Sequence, residues 1–220
     1  MTLVEEAFLD IHRGLIRPFY IQIGRKRRRE DLTHYFQGFP SFHPVEKALL
    51  GAARGRVYDA AAGPGRMGLA LLGEGHEVVC GDVSPVMKMI ATQRGCPDYR
   101  TDDLLGPETV NELFETVVFM GNSIGFCREE REVGRVLSRL SRRIRPGGLL
   151  LMSATDPSLF GLEKSGFLPY THLYKKRRED AGWFLAAPGL ICESLPDSLC
   201  EESRMSHKGM NGFLFRKGER

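Results

Sequence analysis

The chain has 220 residues, of which 42% are hydrophobic and 27% charged, and its 31 Lys and Arg against 28 Asp and Glu give a formal charge of +3. This profile excludes a disordered chain, and one domain of this length buries about 70% of its unfolded surface without disulfide or metal staples. No apolar run reaches the roughly 18 residues of a membrane span. The first ten residues carry acids where a signal peptide has its basic start, so we expect a cytoplasmic protein.

Residues 1–55 are predicted to form an N-terminal helical extension that acts as a lid. Within it, residues 3–23 mix apolar and charged positions, and the loop FPSFHP at 39–44 precedes a helix over 45–50. Residues 25–29 (RKRRR) form a dense basic run, and a second run, KKRR, follows at 175–178. Both runs fit exposed loop or helix faces, or else a surface for an anionic substrate or nucleic acid.

Residues 56–220 are predicted to form one α/β domain, because strand and helix signals alternate along it. Ser84 is a good N-cap for a helix over 84–94, with Pro85 at the first helical position. Nearly continuous apolar strands separated by helices imply a parallel sheet covered on both faces. The C-terminal part is less regular, with a last strand at 212–218 and another between 168 and 194. The other predicted strands are 56–60, 77–82, 116–121 and 149–154, and a second helix spans 129–144.

Cysteine and histidine usage argues against a metal or disulfide framework. The five cysteines are odd in number, and no CxxC pair or zinc-finger spacing occurs. We therefore expect free thiols and no metal site. The cysteines are Cys80, Cys96, Cys127, Cys192 and Cys200.

The segment 57–82, VYDAAAGPGRMGLALLGEGHEVVCGD, carries the clearest motif. Gly63, Gly65 and Gly68 match GxGxxG between a predicted strand and a predicted helix, where glycines let a ligand approach the backbone closely. Alone, this match would fit a nicotinamide dinucleotide as well as other nucleosides.

Acids at the ends of successive strands narrow the ligand class. Asp59 precedes the glycines, where it would repel a diphosphate. Asp82 ends the next strand and can accept hydrogen bonds from both ribose hydroxyls. Asp102 and Asp103 end a predicted third strand near Tyr99, where an acid can accept a bond from an adenine amino group. Without a phosphate-binding lysine, this set suits a phosphate-free ligand of net positive charge.

Five segments over 56–153 resemble, in order, the motifs of the class I, Rossmann-like methyltransferases that depend on S-adenosylmethionine (SAM). They are DAAAGPGR, GDVSPVMKMI, TDDLL, FMGNSIG and RIRPGGLLLMS. The resemblance implies a doubly wound, mostly parallel seven-stranded sheet, with SAM as cofactor and S-adenosyl-L-homocysteine as product. The chain departs from the pattern at Ala61, where the family usually has glycine. Alanine does not adopt positive φ cheaply, and we expect it to narrow the methionine pocket without abolishing binding.

The resemblance also assigns cofactor-binding roles. It places Asp59 and the backbone of Ala61, Gly63 and Gly65 at the methionine end and Asp82 on the ribose. For Asp82 the alternative is a helix cap, and for Met87 it is a core position. The remaining roles are Val83 and Met87 near the adenine, Asp103 followed by Leu104 at the adenine amino group, and Asn122, Ser123 and Ile124 beside the donor methyl.

The sequence does not identify a general base. Methyl transfer is an in-line displacement that mainly needs alignment, and a base is required only if the acceptor arrives protonated. The candidates lie in the extension and after the fifth strand, where similar enzymes commonly form the acceptor lid, and for each the alternative is a packed or surface aromatic. They are Tyr20, Tyr35, His34, His43, Tyr170 and His172.

The acceptor class is narrowed by two absences. NSIG at 122–125 lacks the prolines and stacking aromatic of amino-methylating DNA and RNA enzymes, and Asp156 is followed by Pro157 rather than by the Asn of magnesium-dependent enzymes. The resemblance thus indicates methyl transfer to an O, N or S nucleophile of a small molecule, for example a secondary metabolite, by a monomer or homodimer without a membrane partner. The lack of a YxxxK pair removes a short-chain dehydrogenase. An RNA-directed methyltransferase that uses the basic runs, and a non-catalytic SAM-binding partner subunit, stay open.

Overall fold

The computed structural model describes residues 1–219, which form two β-sheets and six α-helices within that range. The helices are α1 (Leu3–His12), α2 (Pro44–Leu50), α3 (Arg66–Gly73), α4 (Pro85–Arg94), α5 (Glu130–Arg142) and α6 (Pro188–Glu193). The strands are β1 (Phe19–Ile23), β2 (Lys26–Glu30), β3 (Val57–Ala60), β4 (Val78–Asp82), β5 (Tyr99–Thr101), β6 (Phe114–Phe119), β7 (Ile144–Thr155), β8 (Gly166–Tyr174), β9 (Arg177–Leu185), β10 (Leu199–His207) and β11 (Met210–Lys217).

The large sheet has seven strands in the order β10-β11-β7-β6-β3-β4-β5. Strands β5, β4, β3, β6 and β7 run parallel to one another, whereas β11 pairs antiparallel with β7 and β10 antiparallel with β11. The predicted α/β fold with a mostly parallel seven-stranded sheet is therefore confirmed. The carboxyl ends of β3, β4 and β6 lie side by side, which brings the predicted motif turns to one edge of the sheet.

Apolar residues on the central strands pack on both faces of the large sheet. Along β6, Val117 and Phe119 join a core cluster that contains residues of α5 and α6. Between them, Val118 joins a second cluster that contains residues of α2, α3 and α4. This alternation follows from the two-residue period of a strand, and it explains why residues 117–119 of β6 are apolar without interruption.

The helix ends follow the predicted signals. The Ser84 hydroxyl accepts a hydrogen bond from the Met87 amide at 3.2 Å and caps α4, and Gly95, with φ of 110°, is the C-cap that follows Arg94. The amphipathic α5 ends at Arg142, and β7 begins directly afterwards. The sequence predicted that RPGG at 145–148 ends this helix, but the helix ends before it and the segment lies within β7.

A second sheet, which we call the small sheet, has four antiparallel strands in the order β2-β1-β8-β9. It joins the N-terminal hairpin to a hairpin inserted between β7 and β10 of the large sheet. The prediction of a helical extension over 1–55 is therefore only partly right, because the extension also contains β1 and β2. The basic run at 25–29 lies mostly on the edge strand β2 rather than on a loop or helix, and two strands occupy the region where one was predicted.

Helix α1 connects the two sheets. The Asp10 carboxylate accepts hydrogen bonds from the Tyr174 hydroxyl at 2.7 Å and lies 2.6 Å from the Lys175 ammonium. The Leu3 amide donates to Glu179 on β9 at 2.8 Å. Leu3 and Phe8 also share an apolar cluster with Ile90 of α4. Helix α1 is thus held over the edge of the large sheet where the motif turns lie.

Among residues 1–219, no helix is long and apolar enough to cross a bilayer. In the same range, no group of three or more His, Cys, Asp or Glu side chains is arranged to hold a metal ion. The five cysteines are free thiols, and Cys80, Cys96 and Cys127 are buried.

Candidate active site

A cavity of about 350 Å³ lies at the carboxyl ends of β3, β4 and β6, and we call it the first cavity. The turns after these strands form its floor, and α1 covers it with Thr2, Val4, Glu5 and Phe8. This is the edge at which open α/β sheets bind their ligands. Six predicted cofactor residues line it: Asp59, Ala61, Gly63, Asp82, Met87 and Ser123.

The other six predicted cofactor residues do not line the first cavity. Leu104 and Ile124 are buried in the core, so their side chains have a packing role. Val83 is 61% exposed beside the cavity, and Asp103 lies on a turn where it accepts a hydrogen bond from the Leu105 amide. The cofactor roles of all twelve residues, including the six that line the cavity, stay predictions.

The turn after β3 has left-handed backbone at three positions. Ala61 has φ of 53°, Gly63 of 53° and Gly65 of 80°. A Cβ at Gly65 would lie 2.5 Å from the Cys96 sulfur, so this position requires glycine, whereas a Cβ at Gly63 would meet nothing within 4 Å. Ala61 therefore adopts the conformation that its side chain disfavours, and Gly63 leaves its backbone open to the cavity.

Three carboxylates face the first cavity. Asp82 accepts hydrogen bonds from the Gly63 amide at 3.0 Å and the Ser84 amide at 2.8 Å, and Asp59 accepts one from Gly68 at 2.8 Å. Burial raises the pKa of Asp59 to about 7. Burial also raises the pKa of Asp82, and the negative charge of the nearby Glu5 raises it further. Asp82 thus binds the amide of Ser84, the residue that caps α4, and its carboxylate still has free lone pairs for a ligand.

Arg66 supplies the one positive charge among the described side chains that line the first cavity. Its guanidinium binds the buried Glu46 at 2.8 and 3.3 Å and lies 4.0 Å above the Phe42 ring. The Nε atom is buried and has no hydrogen-bond partner. Sequence reasoning missed Arg66, although a basic residue directly after the glycine turn was a usable signal.

Asp102 has a structural role. Its carboxylate binds the Arg143 guanidinium at 2.5 and 2.9 Å and accepts a hydrogen bond from the Tyr58 hydroxyl at 2.6 Å. Burial opposes ionisation, but the hydrogen bonds from Arg143 and Tyr58 lower the pKa of Asp102 below its usual range. Asp102 is buried in this network, whereas Asp103 is exposed, and the predicted contact of Asp103 with adenine stays a prediction.

A second cavity, of about 260 Å³, adjoins the first, and we keep the name second cavity for it. Tyr35 and Gly121 line both cavities. Its wall also includes Asn122, whose side-chain oxygen accepts a hydrogen bond from the Thr155 amide at 3.0 Å. Further lining residues come from the small sheet and the turn after β7, and they include Arg28, Glu30, Phe160 and Trp183. Sequence reasoning considered Arg28 only as part of the basic run at 25–29, and it missed the other three.

Only two of the six candidate bases, His34 and Tyr35, line the second cavity. The other four do not fit the role there. Tyr20 faces away, with Arg27 stacked 3.7 Å above its ring, and His43 caps α2 by accepting a bond from the Val45 amide. Tyr170 and His172 are buried behind the cavity within the small sheet, where Tyr170 packs 4.5 Å from Trp183.

His34 is the better placed base of the remaining two. Its Nδ1 atom lies within hydrogen-bonding distance of the Asp31 carbonyl oxygen. Because a carbonyl only accepts, Nδ1 carries the proton in the neutral ring and Nε2 is the free acceptor. Burial, and then the nearby Glu30 carboxylate, raise the pKa of Tyr35, which makes its phenol a poor base precursor at neutral pH.

No protein-family model matches the sequence, and no curated protein matches it either. Solved structures do match. A SAM-dependent methyltransferase from Bacteroides fragilis, in complex with S-adenosyl-L-homocysteine, matches with a TM-score of 0.83 at 19% identity, over 98% of this chain and 94% of that chain.

Two further matches are also methyltransferases. The glycopeptide N-methyltransferase MtfA, complexed with SAM, has a TM-score of 0.61 at 17% identity, over 77% of this chain and 84% of that one. CalS10, an amino pentose methyltransferase from Micromonospora echinaspora solved with SAM, has a TM-score of 0.59 at 13% identity, over 78% and 86%. The chain thus has the fold of the class I SAM-dependent methyltransferases.

Proposed function

We propose that this protein is a methyltransferase that uses SAM to methylate an O, N or S nucleophile of a small molecule. The observation that carries the proposal is the pair of adjoining cavities, which share Tyr35 and Gly121. One is acidic and lies at the ligand-binding edge of the sheet, and the other is small and partly aromatic. We also propose that it works as a monomer or homodimer in the cytoplasm, where its free thiols would stay reduced.

The charge of the first cavity fits SAM better than a dinucleotide. Glu5, Asp59 and Asp82 give it three carboxylates against the single guanidinium of Arg66. These carboxylates repel one another, so a cationic ligand relieves an unfavourable charge cluster. A diphosphate would meet the same carboxylates with its own negative charge.

The residues present indicate how SAM would be held. Asp82, at the end of β4, would accept hydrogen bonds from the ribose hydroxyls, and Asp59 and the open backbone at Gly63 would face the methionine end. Arg66 would favour the methionine carboxylate. Bound SAM supplies a methyl group on a sulfonium, which a nucleophile can displace without metal or covalent catalysis by the protein.

The chain's own part in the reaction is alignment and proton removal. Tyr35 and Gly121 lie where the two cavities meet, so they would set the direction from which an acceptor approaches. His34 offers its free Nε2 to an acceptor that arrives protonated. The Bacteroides fragilis neighbour supports the cofactor assignment, because it matches nearly the whole chain and was solved with the product of SAM.

Calorimetric titration with SAM and S-adenosyl-L-homocysteine tests the cofactor assignment. We expect Asp82→Ala to weaken binding of both at least about tenfold, because it removes charge-assisted hydrogen bonds to the ribose. Asp197→Ala is a matched control, since Asp197 is an exposed carboxylate that lines neither cavity. Equal affinities of the wild type and Asp82→Ala would contradict the role of Asp82, and no binding by the wild type would contradict the proposed function.

An RNA-directed methyltransferase is the second candidate, and one observation favours it. Arg27 and the run at 175–178 line a common groove of about 450 Å³ on the small sheet. Part of this charge is already neutralised, because Glu6 pairs with Lys175 at 3.0 Å and with Arg177 at 2.7 Å. A steep fall of RNA affinity between 50 and 200 mM salt, on the order of a thousandfold, would support this candidate. Absence of binding at low salt would remove it.

A further inference from the structure

The second cavity contains one acid and one base on the same strand. Glu30 and Arg28 are two residues apart on β2, so they share a face of the small sheet, and their side chains pair at 2.8 Å. The Glu30 side chain is 24% exposed and the Arg28 side chain 63%. Glu30 is therefore the inner partner and Arg28 the outer one. An ion pair with so exposed a partner contributes little stability, so a ligand can compete for Glu30.

Three aromatic rings form part of the wall of the second cavity. Tyr35, Phe160 and Trp183 all line the second cavity. Trp183 packs against Tyr170 behind it at 4.5 Å and meets Phe160 edge-on at 6.2 Å, so its ring is fixed in place. The faces of such rings attract cations, and a carboxylate beside them adds a full negative charge.

We propose that the second cavity takes a small amine, held as its ammonium form by Glu30 and the aromatic wall, and that its nitrogen is the methyl acceptor. The inference rests on the proposed function and names the acceptor class for it. The volume of about 260 Å³ lies below the roughly 300–1,000 Å³ of sites for drug-sized ligands, so the amine is small.

The position of the base suits this acceptor. An ammonium has no lone pair and must lose one proton before its nitrogen can attack. His34 Nε2 takes that proton, and the nitrogen lone pair then forms the new bond to the methyl carbon. The bond between this carbon and sulfur breaks, its electron pair stays on sulfur, and the positive charge passes from the sulfonium to the methylated nitrogen. Glu30 faces that charge before and after the step.

Substitution of Arg28 tests the proposal, because it should change the binding of an amine and of a carboxylate in opposite directions. Arg28 competes with an ammonium for Glu30, so Arg28→Gln should strengthen the binding of an amine. A carboxylate ligand would bind through Arg28, and the same substitution should then weaken its binding. Arg27→Gln is the matched control, because it removes the same charge from the neighbouring residue of β2, which faces the opposite side of the sheet and stacks on Tyr20.

Trp183 provides the readout, because it is the single tryptophan of the chain and lies in the wall of the cavity. We would titrate the protein, saturated with S-adenosyl-L-homocysteine, with benzylamine, benzyl alcohol and benzoate, and follow tryptophan fluorescence. These probes share a ring and differ in charge. We expect benzylamine to bind at least about tenfold more tightly than benzyl alcohol, since charge-assisted bonds are roughly twice as strong as neutral ones. Benzoate should bind most weakly.

The variants separate the outcomes. Glu30→Gln should remove the preference for benzylamine over benzyl alcohol, Arg28→Gln should increase it, and Arg27→Gln should leave it unchanged. Circular dichroism checks that each variant is folded. The proposal is wrong if benzylamine binds no better than benzyl alcohol, if none of the probes binds, or if Glu30→Gln keeps the preference. Failure of the proposed function would appear separately, as absence of S-adenosyl-L-homocysteine binding in calorimetry.

Discussion

The large sheet and the small sheet are stabilised by different kinds of interaction. In the large sheet, β6 and β7 are buried on both faces, and their apolar residues enter two core clusters. The small sheet packs one face against α1 and α4, and its attachment to α1 includes buried polar contacts at Asp10 and ion pairs to Glu6. Apolar burial is worth more than exposed ion pairs. The small sheet should therefore loosen locally while the large sheet stays folded.

This difference matters because the two cavities draw on the sheets unequally. Turns of the large sheet form the floor of the first cavity, whereas β2, β9 and the segment after β1–β2 supply much of the second. A rigid cofactor site beside a looser acceptor site would let an acceptor enter without disturbing the bound cofactor. Substitutions that act on one sheet alone can test this division.

The largest expected effect lies in the large sheet. Asp102→Ala leaves Arg143 charged, buried and unpaired, and we expect it to lower the free energy of unfolding by about 3–5 kcal/mol. Asp103→Ala is the control, since Asp103 is exposed and accepts only a turn amide, and should cost about 1 kcal/mol or less. Urea unfolding measures both. Similar losses in the two variants would contradict the structural role of Asp102.

A smaller and local effect is expected in the small sheet. Asp10→Ala removes the acceptor of the Tyr174 hydroxyl and the partner of Lys175, a loss of about 1–3 kcal/mol. Hydrogen exchange should show faster exchange of β1 and β8 amides, with β6 and β7 unchanged. Asp180→Ala is the control, because Asp180 is exposed and its side chain accepts a hydrogen bond only from the Thr171 hydroxyl. Uniform loss of protection in both sheets would mean that they unfold as one unit.

The sequence predicted the first cavity well because its signals are local. The glycine turn, Asp82 and the cap at Ser84 each involve contacts within a few residues, so they can be recognised from their spacing in the sequence alone. The buried Asp102–Arg143 pair joins residues 41 positions apart, and no local pattern connects them.

The second cavity could not be predicted because it depends on long-range pairing. Strand β1 pairs with β8, with Ile21 opposite His172, about 150 positions along the chain. Only this pairing brings Trp183 beside Glu30. Arg28 lies in a run of basic residues, and because all of them are charged, the sequence does not show which side chains point to which face of the strand. Choosing Tyr35 and His34 from the six candidate bases likewise required the fold.

The pH dependence of SAM binding tests the floor of the first cavity. The pKa of Asp59 is raised to about 7 in the folded chain by burial, so Asp59 is mostly protonated at pH 6 and ionised at pH 8. A cationic ligand prefers the ionised form, so SAM affinity should rise with pH over this range, by up to about tenfold for one such group. Calorimetry in two buffers of different ionisation enthalpy should also detect proton release on binding at pH 6.

Asp59→Asn supplies the control for this pH dependence. It keeps the shape of the side chain but does not titrate, so affinity should be lower at pH 8 and should change less between pH 6 and 8. Asp82 also has a raised pKa, so any change of SAM affinity with pH that remains in Asp59→Asn would come from Asp82. An affinity that falls as pH rises would show that the cavity does not recognise positive charge.

The smallest expected effect concerns the strained turn after β3. Ala61 has φ of 53°, which costs an L-residue roughly 1–2 kcal/mol, whereas glycine there loses about 0.5–1 kcal/mol through greater freedom of the unfolded chain. Ala61→Gly should therefore stabilise the protein by up to about 1 kcal/mol in urea unfolding. Ala62→Gly, one residue on and without positive φ, adds the same freedom with no strain to relieve, so it should destabilise. If Ala61→Gly raises the free energy of unfolding and Ala62→Gly lowers it, the backbone strain lies at Ala61. If both substitutions lower it, Ala61 is not the strained residue of the turn.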